Sequence, residues 1–351
     1  MRGENIRHST TEKEEWHDMK LIDLEHHFYD RSTIDAMEAR EGKGYPYYNA
    51  KEDLIHWNDL LTMPQGPLLK RLLDVGEGRL EMMDRLGITT AVLSCSQGIE
   101  EVDPSESVEL ARRSNNAAYE LSKRYPGRYL GSAILPSRDP KAACDELQRC
   151  VEELGFVAWH THSNYGPVDS PDQERFRPIW KKAADLGVYV YLHPNLPQDK
   201  TMLSRYGFTM AGPGAGFTVD TMLQVLKLIV GGLFDEIPET RMLVGHLGES
   251  IPFLMDRIDN RMNFLPNPAL KNKEKPSYYF KRNIMVTTSG NMSPEAFACT
   301  KAVFGIDHIL FGSDYAFEAA EDMVEYVTAL PLTEEERAML YYQNAEKLGV
   351  R

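Results

Sequence analysis

What most constrains this chain is an alternation: short runs rich in β-branched and aromatic residues recur almost to its end, each followed by a longer stretch with apolar residues at three-to-four spacing. Strand-like runs fall at residues 21–28, 89–95, 129–135, 156–162, 188–193, 242–246, 284–288 and 309–313. Helical periodicity fills the gaps, as at 78–86, 106–124, 141–154 and 217–234. Parallel strands cannot be joined by a tight hairpin, so short β-rich runs alternating with helical stretches are the pattern of a parallel sheet covered by crossover helices. Eight such units predict the α/β class and a (β/α)8 TIM barrel, with 1–351 as a single domain. A doubly wound open sheet is the alternative, but no GxGxxG follows the first strand. Residues 1–19 read as a polar N-terminal extension, and residues 29–75 as a long insertion after the first strand, rich in Tyr, Gly and Pro. Loops of that length usually cover a site or an interface.

Charge and cysteine usage narrow the function classes. Asp plus Glu number 53 against 39 Lys plus Arg, a net charge of -14, so a phosphate backbone is repelled and nucleic acid is excluded as a partner. Cys95, Cys144, Cys150 and Cys299 show no CxxC spacing and read as reduced thiols. The first twenty residues mix both signs of charge without an apolar run, so no signal peptide is expected and the cytoplasm is the expected compartment. The most apolar long stretch, 222–234, is interrupted by Lys227 and too short to cross a bilayer, so no membrane span is expected.

In a barrel of this kind the site lies at the C-terminal ends of the strands. Four predicted strands stop at residue types that bind metal: Glu25-His26-His27, His193, His246 and Asp314. A lone histidine there would be unremarkable, but four ends together point to a metal centre. Side chains alternate along a strand, so Glu25 and His27 share one face while Leu24 and His26 share the other, which places His26 against the helix layer. Two imidazoles and two carboxylates suit one divalent cation with open positions, Mn2+ in preference to Zn2+ because the set is oxygen-rich. No organic cofactor is called for. His160 and His162 form a competing i, i+2 pair, but no bridging lysine stands near them. A single metal is therefore expected, with His162 lining the pocket and His160 one layer deeper.

Several of these segments together resemble a known family. Glu25-x-His27, His193-Pro194, His246-Leu247-Gly248-Glu249, the run from Val286 to Asn291 and Phe311-Gly312-Ser313-Asp314-Tyr315 look like the amidohydrolase-related aromatic decarboxylases. That group includes the γ-resorcylate, 2,3-dihydroxybenzoate and 5-carboxyvanillate decarboxylases, with aminocarboxymuconate semialdehyde decarboxylase more distant. The likeness runs over about residues 20–350 and is most specific from Phe217 through Glu249. It implies a metal held by Glu25, His27, His193 and Asp314, an acid–base network of Asp314, His246 and Glu249, and substrate contacts from Phe217, His162 and Arg257. Two positions depart from the family: His162 stands where Asn is common, and Ala316 replaces the usual proline after Ser-Asp-Tyr.

The chemistry so implied is metal-dependent, non-oxidative loss of CO2 from a small hydroxylated aromatic acid, with Asp314 as proton donor. Related enzymes take the arginine matching Arg257 from a neighbouring subunit, which implies a homodimer or homotetramer. Arg257 lies eight residues beyond Glu249, roughly 12 Å along a helix. A surface ion pair with Asp256 or Asp259 is the other reading of it. For the whole chain the alternatives are a hydrolase or hydratase such as a lactonase, with Asp314 as a base toward water, and a catalytically silent barrel that binds a metal structurally.

Overall fold

The computed structural model describes residues 20–58, 61–199, 206–262 and 264–351, so the extension at 1–19 lies outside the described residues. Eight parallel strands follow one another in chain order around the barrel: β1 (Leu21–Phe28), β2 (Ile88–Cys95), β3 (Tyr129–Ala133), β4 (Ala158–His162), β5 (Tyr189–His193), β6 (Met242–Val244), β7 (Ile284–Thr287) and β8 (Ile309–Leu310). The ring closes where the Leu24 N–H donates to the Phe311 carbonyl and His26 bridges to Tyr315. The crossovers are α1 (Glu77–Arg85), α2 (Pro104–Arg124), α3 (Pro140–Glu152), α4 (Arg177–Asp185), α5 (Gly216–Val230), α6 (Ile251–Arg261) and α7 (Pro294–Phe304), and α8 (Ala320–Ala329) follows β8. Local sequence sets several starts: Asp139 and Ser293 cap α3 and α7 by accepting from Ala142 and Ala296 N–H, each followed by a proline with its φ preset.

Alternation along the strands divides the apolar residues into two layers. Leu21, Ala91, Trp159, Val190, Val244 and Phe311 join the large core shared with the helices. Ile22, Val92, Ala158, Tyr189, Leu243 and Leu310 fill the barrel interior, where Ala345, Leu348 and Val350 from the C-terminal segment pack against them. The polar residues of the site sit above this apolar plug.

Several strands end earlier than their sequence patterns predict. Residues 134–135 are buried but leave the ladder, because the Asn115 side chain accepts from the Ile134 N–H and donates to its carbonyl in place of a neighbouring strand. The expected strand 242–246 stops at Val244, and 309–313 stops at Leu310. Strict alternation also fails in β1. Its register against β2 slips between Asp23 and His26, so Leu24 joins Ile22 in the interior while Glu25 also turns inward to Tyr191. His26 does not simply face the helix layer: its Nδ1 pairs with Asp23 at 2.8 Å and its ring stacks on Tyr315.

The insertion is structured. It contains a helix (Arg31–Ala39), a three-stranded antiparallel sheet (Tyr47–Asn49, Leu54–His56, Thr62–Pro64) and a second helix (Gly66–Leu73). No helix among the described residues is long and apolar enough to cross a membrane. All four cysteines are free thiols.

Leu348 is 7% exposed and seals the barrel floor. Leu348→Ala should lower the free energy of unfolding by about 2–4 kcal/mol, read as a reduced midpoint in urea. An unchanged midpoint would show that the C-terminal segment does not support the barrel.

Candidate active site

The ends of β1 and β5 and the loop after β8 bring Glu25, His27, His193 and Asp314 together. One ligand atom from each lies within 4.8 Å of the others. His27 Nε2 is 3.2 Å from Asp314 Oδ1 and 3.6 Å from Glu25 Oε1, and His193 Nε2 is 3.6 Å from the same Glu25 oxygen. Glu25 Oε1, both His27 ring nitrogens and Asp314 Oδ1 are buried without a hydrogen-bond partner. Unpartnered buried polar atoms are costly, and three of these, Glu25 Oε1, His27 Nε2 and Asp314 Oδ1, face one another at distances that fit a shared divalent ion.

Neighbouring groups fix the direction of these side chains. Tyr191 and Thr287 hydroxyls donate to Glu25 Oε2, leaving Oε1 free toward the cluster. His193 Nδ1 lies 2.8 Å from the Pro194 carbonyl, so Nδ1 carries the hydrogen and Nε2 the lone pair. Asp23 ties the two strand ends together: Oδ1 accepts from the Glu25 and Ser313 N–H groups, while Oδ2 meets His26 and the Ser313 hydroxyl. This buried carboxylate thus holds the β1 bulge against the loop that carries Asp314.

The electrostatics separate the roles. Burial disfavours a charged His27, but the Asp314 and Glu25 carboxylates outweigh it and raise its pKa to about 9. Burial, reinforced by His27 and His162, keeps His193 neutral. His246 Nδ1 lies 2.5 Å from Glu249 Oε1, and its Nε2 lies 3.8 Å from Asp314 Oδ2. Against burial, Glu249 and Asp314 hold the His246 pKa well above its ordinary value. Burial works to raise Asp314, yet His246 and His27 hold it below the usual carboxylate range. The two shifts run in opposite directions, His246 toward its protonated form and Asp314 toward its ionised one.

His246 and Glu249 owe their positions to an unusual backbone. From His246 to Ser250, φ is 54, 56, 86, 53 and 64°, a turn of left-handed helix in place of the expected strand end. Each non-glycine residue in that conformation costs about 1–2 kcal/mol, so the surroundings must impose it. Leu247 is buried and its carbonyl accepts from Thr300, while the His246 N–H donates to Ser289. Only Gly248, with φ 86°, adopts the conformation freely. Glu249 is consequently not a first-turn residue of α6, which begins at Ile251.

Above these residues opens a cavity of about 300 Å³. His193, His246, Glu249 and Asp314 lie in it, and Trp57, Met63, Phe208, Phe217 and Phe317 form apolar walls. Polar contacts come from Gln97, Asn195, Thr218, Asn291 and Glu318. Phe217 lines this cavity. His162 does not line this cavity: it lies under His193, ring centroids 5.4 Å apart, with Nδ1 on Glu100. Arg257 does not reach it either, being exposed on α6. Trp57 and Met63 had no sequence signal, because their approach depends on how the insertion folds back; Asn195, two residues past His193, could have been read from its strand end.

Comparison with known proteins places this geometry. The amidohydrolase family model matches residues 22–348. The γ-resorcylate decarboxylase of a Rhizobium species is 36% identical over 292 residues, covering 80% of this chain and 89% of that one. The fold superposes on a dihydroxybenzoic acid decarboxylase from a Polaromonas species, solved with manganese and the inhibitor 2-nitroresorcinol, at TM-score 0.80 and 32% identity, covering 94% of this chain and 96% of that one. For 5-carboxyvanillate decarboxylase from Sphingomonas paucimobilis the TM-score is 0.83 at 27% identity, covering 94% and 99%.

Ligation requires neutral imidazole, whereas His27 with a pKa of about 9 is protonated at neutral pH in the metal-free protein. Mn2+ uptake at pH 7 should release about one proton per ion, and affinity should climb as pH rises toward that pKa. Titration calorimetry in buffers of differing ionisation enthalpy measures this, and uptake without proton release would remove His27 from the ligand set. Asp23→Asn, which replaces the oxygen that accepts from His26 and the Ser313 hydroxyl by a donor, should weaken Mn2+ binding by about 10–100-fold.

Proposed function

The chain belongs to the amidohydrolase family, and from that premise we propose that it is a metal-dependent, non-oxidative decarboxylase of a hydroxylated aromatic carboxylic acid. The observation that carries the reading is a buried cluster of two carboxylates and two imidazoles in an apolar slot, with His246 beside it, its pKa held well above the ordinary value by Glu249 and Asp314. Glu25, His27, His193 and Asp314 would hold one divalent ion, Mn2+ in preference to Zn2+, given the two carboxylates and the manganese in the Polaromonas relative. When bound, the ion supplies a positive centre for the substrate carboxylate and an adjacent phenolate oxygen.

The remaining work falls to the chain's own residues. Phe217, Phe208 and Trp57 hold the ring in one plane and exclude water. An aryl anion is too unstable to form, so the ring carbon bearing the carboxylate must gain a proton before the C–C bond breaks. Asp314 delivers that proton; the bond's electron pair then returns to the ring and CO2 leaves. An ionised Asp314 has first to be protonated, and His246, 3.8 Å away and braced by Glu249, is the source of that proton. The acid form of His246 persists up to its raised pKa, so turnover should decline as pH rises through that value.

The same reading assigns Arg257 to a neighbour's pocket within a homodimer or homotetramer. Asp259 accepts from Ser277 and Asp256 from Asn260, and among the described residues neither pairs with Arg257. Near it stand Phe253, Phe264 and Leu265, exposed by 83, 66 and 70%, which a second copy would cover. The compartment proposed is the cytoplasm.

In D2O the product of a hydroxybenzoate turned over by the enzyme should carry one deuterium at the carbon that lost CO2. Asp314→Asn should slow turnover at least about 100-fold, with metal content measured in parallel, since an amide cannot deliver the proton. A product that has gained water and kept every carbon would overturn the decarboxylase reading. Arg257→Ala and Asp314→Asn proteins, each nearly inactive, should regain activity when mixed under subunit exchange. Verified exchange without recovery would confine Arg257 to its own chain.

A further inference from the structure

Beneath the four-residue cluster lies a second group of nitrogen donors that the proposed reaction does not use. His160 and His162 project inward from β4 and meet His193 of β5, with ring centroids 5.1 Å (160 to 162), 5.2 Å (160 to 193) and 5.4 Å (162 to 193) apart. One ring nitrogen of each lies within 4.8 Å of the others, and all three side chains are buried. Both nitrogens of His160 and Nε2 of His162 have no hydrogen-bond partner. A structural histidine in a core is ordinarily satisfied at both nitrogens, so three orphan nitrogens in one place need an explanation.

The surroundings orient these rings as ligand histidines are oriented elsewhere. Glu100, itself buried, accepts from His162 Nδ1 at 2.6 Å and from the His162 backbone N–H. The Ser137 and Thr161 hydroxyls hold the Glu100 carboxylate in place. Nδ1 of His162 therefore carries the hydrogen and Nε2 presents its lone pair to His160 and His193. The Pro194 carbonyl does the same for His193.

We propose that His160, His162 and His193 form a second cation position, made of nitrogen alone, which takes Cu2+, Ni2+ or Zn2+ and shares His193 with the upper cluster. No carboxylate belongs to it, so an oxygen-seeking ion such as Mn2+ gains little there. The Nε2 lone pair of His193 can serve one ion at a time, because Nδ1 is engaged by Pro194. Filling the lower position thus withdraws His193 from Glu25, His27 and Asp314. If the decarboxylase reading holds, nitrogen-preferring ions in excess would inhibit the Mn2+ enzyme by this route; the site itself stands without that reading.

The test is electron paramagnetic resonance of the full-length, metal-stripped protein loaded with one equivalent of Cu2+. The lower position should give hyperfine coupling to three imidazole nitrogens, whereas the upper cluster offers two. His162→Asn should reduce the coupling to two nitrogens, and His160→Gln provides the same reading should the first variant fold poorly. Glu100→Gln, which keeps all three rings but weakens the brace on His162, should weaken Cu2+ binding by about 10–100-fold while Mn2+ binding persists. A two-nitrogen spectrum in the unaltered protein, unchanged by either histidine substitution, would place copper in the upper cluster and overturn the proposal. Decarboxylation with Mn2+ would be untouched by that result, and three-nitrogen copper in a protein that, loaded instead with Mn2+ alone, releases no CO2 from any hydroxybenzoate would sink the functional reading alone.

Discussion

The mouth of this barrel is organised around the cost of burying two carboxylates side by side. Glu25 and Asp314 lie out of water, each with an oxygen that no donor reaches. Without compensation two such charges would repel and one would take up a proton. Here Tyr191 and Thr287 satisfy the far side of Glu25, while His27 and His246 surround Asp314 with positive charge. The remaining deficit is what a divalent ion fills, and the arrangement is poised for it because the donors are already in place.

That poise depends on features remote from the charges. Asp23 ties the bulge in β1 to Ser313, and so joins the segment that carries Glu25 and His27 to the one that carries Asp314. Arg79, buried below, donates to the His27 carbonyl and lies over the Tyr315 ring, bracing the same two segments from the opposite side. The left-handed turn from His246 to Ser250 aims an imidazole at Asp314 that neither a strand nor a right-handed helix would deliver. A side chain at position 290 would meet that imidazole: a Cβ there would stand 2.7 Å from His246 Cδ2, and φ at Gly290 is +61°. The apolar plug below, sealed by Leu348 and Val350, supplies the rigid floor on which these polar groups are mounted.

The two histidine-bearing layers also show how one scaffold can offer ions different chemistry. The upper cluster mixes oxygen with nitrogen, and the lower one is nitrogen alone, with His193 common to both. Because imidazole has one free lone pair once its other nitrogen is engaged, the shared residue couples the two positions. Glu100 supports only the lower one, which separates the determinants of each.

The sequence by itself determined the architecture and which strand ends carry ligand-type residues. Short apolar runs alternating with stretches of period 3.6 suit strands buried on both faces and helices buried on one, and ligand-type residues at the ends of such strands face one mouth. That placed Glu25, His27, His193, His246 and Asp314 at the mouth, while the set Glu25, His27, His193 and Asp314 was what the family resemblance implied. Only the tertiary structure decided how they are held. The bulge at Asp23 to His26 follows from closing the ring against the loop after β8, a contact between segments almost three hundred residues apart. The left-handed turn at His246 runs against local preference and exists because Leu247, Thr300 and Ser289 hold it. Likewise, that His162 turns to Glu100 rather than to the cavity, and that Trp57 and Met63 reach the cavity at all, depends on packing between distant segments. Periodicity records which face of an element is buried; it carries no record of which partner waits there.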